Sequence, residues 1–511
     1  MVIDSHVHFP FALDLPEQKW GAYLVERAER CGINALIVSD VFIRGSADAG
    51  RYPASAAVRR ANAFAAEQAA ANPGRLYFLA YLNPQNPDWE EEFERSAVAG
   101  AVGIKLWVSL KDSSASLENS VKVLQKAAAR KLPVLIHVFS TAEPNSPGEI
   151  DITEFAGLSR RVPECVLIGG HSGANFRESR GAFALASENT YWDISGTNPD
   201  CSMVAEVVRA VGAEKVLFGS DGPGRSFVSQ MHKVTLAPIS EKEKQMILGE
   251  NVCRVYKLPG LYCGEVPVSG AHVFFGTPKE DHFVFCGKWP FFEKEAISPD
   301  SLEKILEKQM ICKAFTVSFD SMFQLDLFRA NNEFRKACAG SERIRPLAVI
   351  DPEARNMESL LEDAFRNNDP GVWFSPALLR EAPDSPRALK MYSMCAKEGM
   401  KVYINCRLGE DRFRHRALHL KNLEWNDLEG FFRSAPKNDY VFQGVAPLAE
   451  IPREDCRFTF EKLIDTEGGL ERFFADGGKK EALVRGSEFP FREPDQTLLA
   501  AMDCPYRSMV L

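Results

Sequence analysis

The chain lacks the features that mark several large protein classes. No stretch approaches the roughly 20 consecutive apolar residues that a membrane span needs, and no lysine/arginine block suggests a nucleic-acid partner. The N-terminus has no basic segment followed by an apolar one, so we expect no signal peptide. The 12 cysteines include no C-x-x-C pair, which favours reduced thiols in a cytoplasmic protein over disulfides or a zinc finger.

The remaining composition is that of a large globular protein. The chain has 511 residues, of which 45% are hydrophobic and 26% charged, and its formal net charge of −9 is modest for this length. Because this is more chain than one ordinary core accommodates, two large domains are the default expectation.

Short apolar runs, separated by amphipathic stretches, recur eight times in the first half of the chain, which is the pattern of a parallel α/β fold. Eight such units in about 260 residues predict a (β/α)₈ barrel. An open doubly wound sheet would need a glycine-rich loop after the first strand, where Phe9-Pro10 stands instead. The expected strands are Val2–His8, Ile33–Asp40, Leu76–Asn83, Val102–Trp107, Val134–Phe139, Cys165–His171, Tyr191–Ser195 and Val216–Asp221.

Potential metal ligands lie at the ends of these runs. His6 and His8 are two residues apart, so on a strand both side chains point to the same face. His137 lies in the fifth run and Asp221 ends the eighth, and barrels of this kind place their catalytic groups at the C-terminal strand ends. These four residues therefore predict a site for one divalent metal ion, Zn²⁺ first, with Mn²⁺ or Fe²⁺ as alternatives.

The motifs around these positions resemble those of the metal-dependent amidohydrolase superfamily, in particular the branch that includes the aminocarboxymuconate-semialdehyde and resorcylate decarboxylases. The resemblance covers residues 1–258 and is specific in combination, although His-x-His alone would be weak. The matching segments are Asp4-Ser5-His6-Val7-His8, Gly103-Ile104-Lys105-Leu106, Leu135-Ile136-His137, Gly170-His171-Ser172-Gly173, Leu217-Phe218-Gly219-Ser220-Asp221-Gly222-Pro223 and Ile247-Leu248-Gly249-Glu250-Asn251.

The resemblance implies roles for the residues near the ligands. His171 is either a fifth ligand, as in two-metal members, or an acid/base beside the ion, and the likeness to single-metal enzymes favours the second role. Asp221 would take the proton from metal-bound water. Lys105 is carboxylated and bridges two metals, binds a substrate carboxylate, or caps the barrel end. Arg44 and Arg51 follow the second strand, and a decarboxylase would need one of them for its acid substrate.

The second half repeats the first at a nearly constant displacement, which predicts a duplicated domain. The second-half segments that align with first-half motifs are Gly270-Ala271-His272-Val273-Phe274-Phe275, Leu347-Ala348-Val349-Ile350-Asp351-Pro352, Gly371-Val372-Trp373-Phe374, Val402-Tyr403-Ile404-Asn405 and Gly486-Ser487-Glu488. In this alignment only His272 and Glu488 keep ligand chemistry. The fold prediction is therefore two tandem TIM-like barrels, residues 1–260 catalytic and residues 261–511 degenerate and inactive.

The predicted function is a metal-dependent hydrolase that uses metal-activated water on an amide, ester or lactone of a small organic acid. The alternative is a non-oxidative decarboxylase of an aromatic or unsaturated carboxylic acid, because both activities use the same ligands. A non-catalytic scaffold is a third possibility, against which the intact ligand set counts.

We expect a small-molecule substrate and no nucleic-acid or membrane partner. We also expect the second barrel to take the place of a partner subunit, and Arg453 is the arginine that it would contribute to the first barrel's pocket. Asp193, which ends the seventh run, is expected to be structural, and further oligomerisation is left open.

Overall fold

The structure is a computed structural model in which the chain divides into two compact units, Met1–Ser269 and Gly270–Leu511. It describes residues 1–10, 15–41, 53–107, 114–140, 150–173, 181–196, 201–235, 237–258, 261, 279–288, 296–308, 311–379, 381–409, 420–464 and 469–487.

The first unit contains eight parallel strands that pair in the order of the sequence. They are β1 Ile3–His8, β2 Ala35–Ser39, β3 Leu76–Leu82, β4 Gly103–Leu106, β5 Val134–Ile136, β6 Leu167–Gly169, β7 Thr190–Asp193 and β8 Val216–Leu217. Backbone hydrogen bonds join β1 to the segment around β8: Ser5 N donates to Phe218 O at 2.9 Å and Asp221 N donates to His6 O at 2.8 Å. The sheet is therefore a nearly closed parallel barrel, and the predicted first-half fold is confirmed.

Helices alternate with these strands along the chain, as the connections between parallel neighbouring strands require. The α-helices are Trp20–Arg30, Ser55–Ala71, Trp89–Val98, Ser114–Arg130, Ile152–Arg161, Cys201–Val211, Phe227–Thr235, Glu241–Gln245 and Asn251–Tyr256, with a π-helical turn at Met246–Glu250 and 3₁₀ turns at Glu17–Lys19, Gly170–Ser172 and Ala213–Lys215. Capping boxes begin two of them, at Asp151 with Glu154 and at Ser240 with Glu243. Within the described part of the chain, no helix combines the length and apolarity needed to cross a bilayer.

An apolar layer fills the N-terminal end of the barrel. Ile3, Ile37, Leu79 and Leu135, from β1, β2, β3 and β5, pack together with Tyr256 from the closing helix. β1, β2 and β3 are buried along their whole length. β2 and β3 are accordingly almost entirely hydrophobic, whereas β1 carries polar residues from Asp4 onward. This layer is the rigid base on which the polar strand ends are held.

In the second unit, the described parallel strands form a three-stranded and a six-stranded sheet. The strands are β9 Lys279–Cys286, β10 Ile311–Ser318, β11 Ile344–Pro346, β12 Ala348–Val349, β13 Val372–Phe374, β14 Val402–Asn405, β15 Tyr440–Gln443, β16 Cys456–Thr459 and β17 Leu483–Val484. The α-helices are Pro299–Lys308, Phe319–Phe323, Leu327–Cys338, Met357–Arg366, Pro376–Leu379, Pro386–Glu398, Glu429–Ser434, Glu461–Ile464 and Gly469–Ala475, with 3₁₀ turns at Trp425–Leu428 and Lys480–Ala482. The second barrel stays a prediction.

The first described strand of this unit shares a hydrogen-bond pattern with β1. Asp281 in β9 accepts from Phe283 N and Ser487 N, as Asp4 in β1 accepts from His6 N and Ser220 N. This pattern favours β9, Lys279–Cys286, as the strand to compare with β1, whereas the sequence analysis aligned the segment 270–275. His272 lies outside the described residues, and its correspondence to His6 stays a prediction.

Asn251 anchors the closing helix of the first unit and offers a stability test. Its side-chain amide is fully buried and donates to Ala213 O at 2.8 Å and to Val216 O at 2.7 Å. We expect Asn251→Ala to lower the free energy of unfolding by about 1–3 kcal/mol, because two buried carbonyls lose their donor. Asn189→Ala removes an exposed side-chain hydrogen bond to Pro163 O and should lower the free energy of unfolding by less than about 0.5 kcal/mol. Equal losses for the two variants in chemical denaturation would contradict this role.

Candidate active site

His6 lies at the centre of the polar strand ends and has a fixed tautomer. Its Nδ1 is 2.5 Å from Asp193 Oδ2, and because a carboxylate can only accept, Nδ1 carries the proton. Its Nε2 is 2.9 Å from Lys105 Nζ, a group that can only donate, so Nε2 presents its lone pair. Burial, and then the charge of Lys105, lower the pKa of His6 to about 4. The ring is therefore neutral at pH 7, in the form that binds a metal ion through Nε2.

His8 and Asp221 complete a three-atom cluster with His6. Asp221 Oδ1 is 3.3 Å from His8 Nε2 and 4.0 Å from His6 Nε2, while His8 Nδ1 is 3.1 Å from the carbonyl of Ser39. Although burial opposes ionisation, the hydrogen bond with His8 and the nearby His171 hold the pKa of Asp221 well below its usual range. About a quarter of the Asp221 side chain is exposed, so the cluster opens outward on its side.

These three atoms suit a divalent ion. One ligand atom from each of the three residues lies within 4.8 Å of the other two, and each histidine directs its other nitrogen at a carboxylate or backbone carbonyl. Such outer partners are the usual support of metal-binding histidines, and two imidazoles with one carboxylate form a common catalytic set. His6, His171 and Asp193 also gather ligand atoms, but His6 and Asp193 hydrogen-bond each other directly, which leaves no space for an ion between them.

His171 and His137 lie beside this cluster. His171 Nδ1 is 3.2 Å from Ser195 O, so Nδ1 donates, and burial lowers the pKa of the ring well below its usual value. A neutral imidazole has one N–H, so His171 Nε2 accepts from His137 Nδ1 at 3.2 Å. His137 then carries its proton on Nδ1 and has its lone pair on Nε2, the tautomer that a fourth ligand requires. The His171 ring is 4.9 Å from that of His137 and 5.0 Å from that of His6.

Asp193 and Ser195 are two site residues whose roles the sequence did not indicate. Burial alone would raise the pKa of Asp193, but the nearby His6 outweighs burial and lowers it to about 2. Ser195 Oγ is 2.7 Å from Asp193 Oδ2, 2.9 Å from His6 Nδ1 and 3.1 Å from His171 Nδ1. Asp193 was expected to be structural; instead it orients a candidate ligand directly. Its place at the end of a strand was the one sequence signal.

Lys105 is the cation inside the site. Its side chain is 1% exposed, and burial lowers its pKa to about 8. The ammonium faces the Nε2 lone pair of His6, the position that a metal ion would occupy.

The backbone is strained where the candidate groups meet. His171, Ser172 and Asp221 have φ values of 61°, 46° and 65°, in the left-handed region that residues with a side chain rarely adopt. Backbone strain of this kind concentrates at functional sites.

The candidate arginines are not part of the described cluster. Arg44 and Arg51 lie outside the described residues. Arg453, the suggested arginine from the second half, donates to Ala435 O at 2.6 Å and Pro436 O at 2.9 Å and pairs with Asp455. These contacts of the guanidinium lie within its own unit, and a role for Arg453 in the first unit's site stays a prediction.

The corresponding strand ends of the second unit carry different chemistry. When Asp281 is aligned with Asp4, Phe283 and Phe285 align with His6 and His8. The sequence alignment of the later strands sets Trp373 and Asn405 against Lys105 and His137. Asn405 donates to Gln443 Oε1 and Arg407 O and accepts from Ser375 Oγ. Both ligand clusters found among the described residues belong to the first unit.

The family follows from a sequence match over the barrel that carries this cluster. Residues 3–258, half of the chain, match the family model described as Amidohydrolase. The chain belongs to the amidohydrolase family. It is accordingly an enzyme of the amidohydrolase superfamily, and the family together with the His/Asp cluster supports a divalent metal. No curated protein sequence matches the chain.

Solved structures similar to this amidohydrolase cover about half of it. They include the 5-carboxyvanillate decarboxylase of Sphingomonas paucimobilis, with 17% identity, 50% of this chain and 99% of that chain covered, and a TM-score of 0.38. The 2,6-dihydroxybenzoate decarboxylase from Rhizobium has 20% identity, with 51% of this chain and 99% of that chain covered and a TM-score of 0.40. The 4-oxalomesaconate hydratase of Rhodopseudomonas palustris has 15% identity, with 50% of this chain and 96% of that chain covered and a TM-score of 0.37. At these values the likenesses carry no information about the substrate.

Gly219 allows the close packing of the site to be tested. A Cβ at this position would lie 2.2 Å from Asp193 Oδ1 and 2.7 Å from His6 Cβ. We expect Gly219→Ala to displace the His6–Asp193 pair and to weaken Zn²⁺ binding at least about 10-fold in a chelator competition. Gly157→Ala is the control, because a Cβ there meets no atom within 4 Å. Unchanged Zn²⁺ affinity in Gly219→Ala would show that the pair is not part of the metal site.

Proposed function

We propose that this amidohydrolase is a metal-dependent non-oxidative decarboxylase of a small aromatic or unsaturated carboxylic acid. The observation that carries the proposal is the buried ammonium of Lys105, 2.9 Å from His6 Nε2. A fixed cation beside a divalent ion forms a pair of positive charges suited to a carboxylate. Hydrolysis of a neutral amide or ester has no evident use for that second cation, so we place it second.

The proposed ligands are His6, His8 and Asp221, with His137 as the fourth. When bound, the ion would polarise substrate oxygens as a Lewis acid. We propose Zn²⁺ first, because imidazole and carboxylate ligands suit it, with Mn²⁺ and Fe²⁺ as alternatives.

Lys105 would hold the substrate carboxylate and His171 would carry the proton. In the reaction the carbon–carboxylate bond breaks, carbon dioxide leaves, and the carbon keeps the electron pair and accepts a proton. Asp221 is a poor proton carrier, since its pKa is held well below the usual range. His171 Nε2 would accept a proton from a substrate hydroxyl and pass it to that carbon. Because burial disfavours the charged ring, protonated His171 is a strong acid for this transfer.

The activity test is a panel of hydroxybenzoates and unsaturated acids, run beside lactones, amides and esters, on protein loaded with Zn²⁺, Mn²⁺ or Fe²⁺. We expect one carbon dioxide per acid consumed and no release by chelator-treated protein. Hydrolysis of a lactone or amide without release of carbon dioxide from any acid would reject the proposal.

Lys105→Met separates the possible roles of this lysine. If Lys105 binds the carboxylate, the variant should raise KM about 10- to 100-fold, the effect of losing a charge-assisted hydrogen bond. It should also bind the metal ion at least as tightly as the wild type, because the competing ammonium at His6 Nε2 is gone. A carboxylated lysine that bridges two metals predicts the opposite, a loss of bound metal. Lys122→Met, on an exposed helix face, is the control.

We further propose that the second unit is a barrel descended from the first without its metal site. His282 N donates to Arg485 O at 2.9 Å. This hydrogen bond links β9, the first described strand of the unit, to the segment that follows β17, its last described strand. The shared contacts of Asp4 and Asp281 also support this proposal. One metal ion per chain is the stoichiometry it predicts.

A further inference from the structure

Lys233 is a buried cation to which the proposed reaction gives no task. It lies in the helix Phe227–Thr235, its side chain is 0% exposed, and burial lowers its pKa to about 7. Among the described residues no carboxylate lies within ion-pair distance of its Nζ. Burying an amino group without a carboxylate partner costs free energy unless hydrogen bonds compensate it.

The contacts of Lys233 are two backbone carbonyls on either side of Ser195. Its Nζ donates to Ile194 O and to Gly196 O, both at 3.1 Å. Gly196 O also accepts from Gln230 Nε2 at 2.8 Å, from the preceding turn of the same helix. The helix therefore holds the turn that follows β7 by three hydrogen bonds.

This turn packs directly against the candidate catalytic histidine. Gly196 has a φ of 107°, and a Cβ there would lie 2.8 Å from His171 Nδ1. Ser195 O and Oγ are 3.2 and 3.1 Å from the same nitrogen, and Ser195 Oγ also reaches His6 Nδ1. A shift of the turn would change the partners of both rings at once.

We propose that Lys233 is a positioning residue of the active site, which holds the Ile194–Gly196 turn so that Ser195 fixes the orientation of His171 and His6. The inference rests on the proposed metal site and acid/base role. Lys233 acts through the turn and touches neither histidine. An ammonium group makes stronger hydrogen bonds to carbonyls than a neutral donor does, so we expect that a neutral side chain of similar length cannot replace Lys233.

The test compares Lys233→Met with Lys215→Met. Lys215 also donates to a backbone carbonyl, that of Glu188. This hydrogen bond is exposed and lies just before the N-terminal end of β7, at the opposite end from the Ile194–Gly196 turn. Each protein is loaded with Co²⁺, and we measure its visible absorption spectrum, its Co²⁺ dissociation constant by chelator competition, and its kcat and KM. We expect Lys233→Met to alter the Co²⁺ spectrum, weaken Co²⁺ binding about 10-fold and lower kcat about 10-fold with little change in KM. Lys215→Met should match the wild type.

The inference is overturned if Lys233→Met equals Lys215→Met in spectrum, affinity and kcat and differs only in melting temperature. Should Lys233→Met fail to fold, Ser195→Ala and Gln230→Leu replace it. Both should alter the Co²⁺ spectrum, and a wild-type spectrum and affinity in both would reject the proposal. The Co²⁺ measurements need no substrate, so they remain decisive if no acid is decarboxylated and the proposed reaction itself fails.

Discussion

The hydrogen bond between His6 and Asp193 is the interaction on which the site depends. It fixes the proton on Nδ1 of His6 and thereby leaves Nε2 open toward His8 and Asp221. The bond is possible because β1 and β7 end at the same rim of the barrel. Gly219 keeps that space free, since a side chain there would occupy the position of the carboxylate. The barrel thus supplies the geometry, and one carboxylate converts it into a metal-binding tautomer.

The charges at this rim are arranged around neutral imidazoles. His6 and His171 are kept uncharged by burial, whereas Asp193 and Asp221 stay ionised despite it. The ammonium of Lys105 is the one cation that directly faces a ligand nitrogen among the described contacts. A bound divalent ion would share this space with Lys105, and an anionic substrate would relieve the repulsion between them. This is the physical reason to favour a carboxylic acid as substrate.

The sequence predicted the barrel and its candidate ligands because both are local signals. Apolar runs mark strands that are buried on both faces, and polar residues that end those runs fall at the same rim. Asp193, Ser195 and Lys233 could not be recognised in this way, because their partners lie far away along the chain. The partners of Lys233 are, in addition, backbone carbonyls of a turn, which no side-chain pattern marks. For the first repeat of the second half, the sequence pattern favours the His-Val-Phe string at 272–274, whereas the hydrogen bonds of Asp281 favour Asp281-His282-Phe283. A local sequence pattern carries no information about such long-range hydrogen bonds.

The proposal that His6, His8 and Asp221 hold one divalent ion can be tested by a crystal structure of the Zn²⁺-loaded protein, with diffraction recorded at the zinc edge. We expect one anomalous peak about 2.0–2.2 Å from His6 Nε2, His8 Nε2 and an Asp221 carboxylate oxygen. An ordered cluster without a peak, or a peak ligated by other residues, would contradict it.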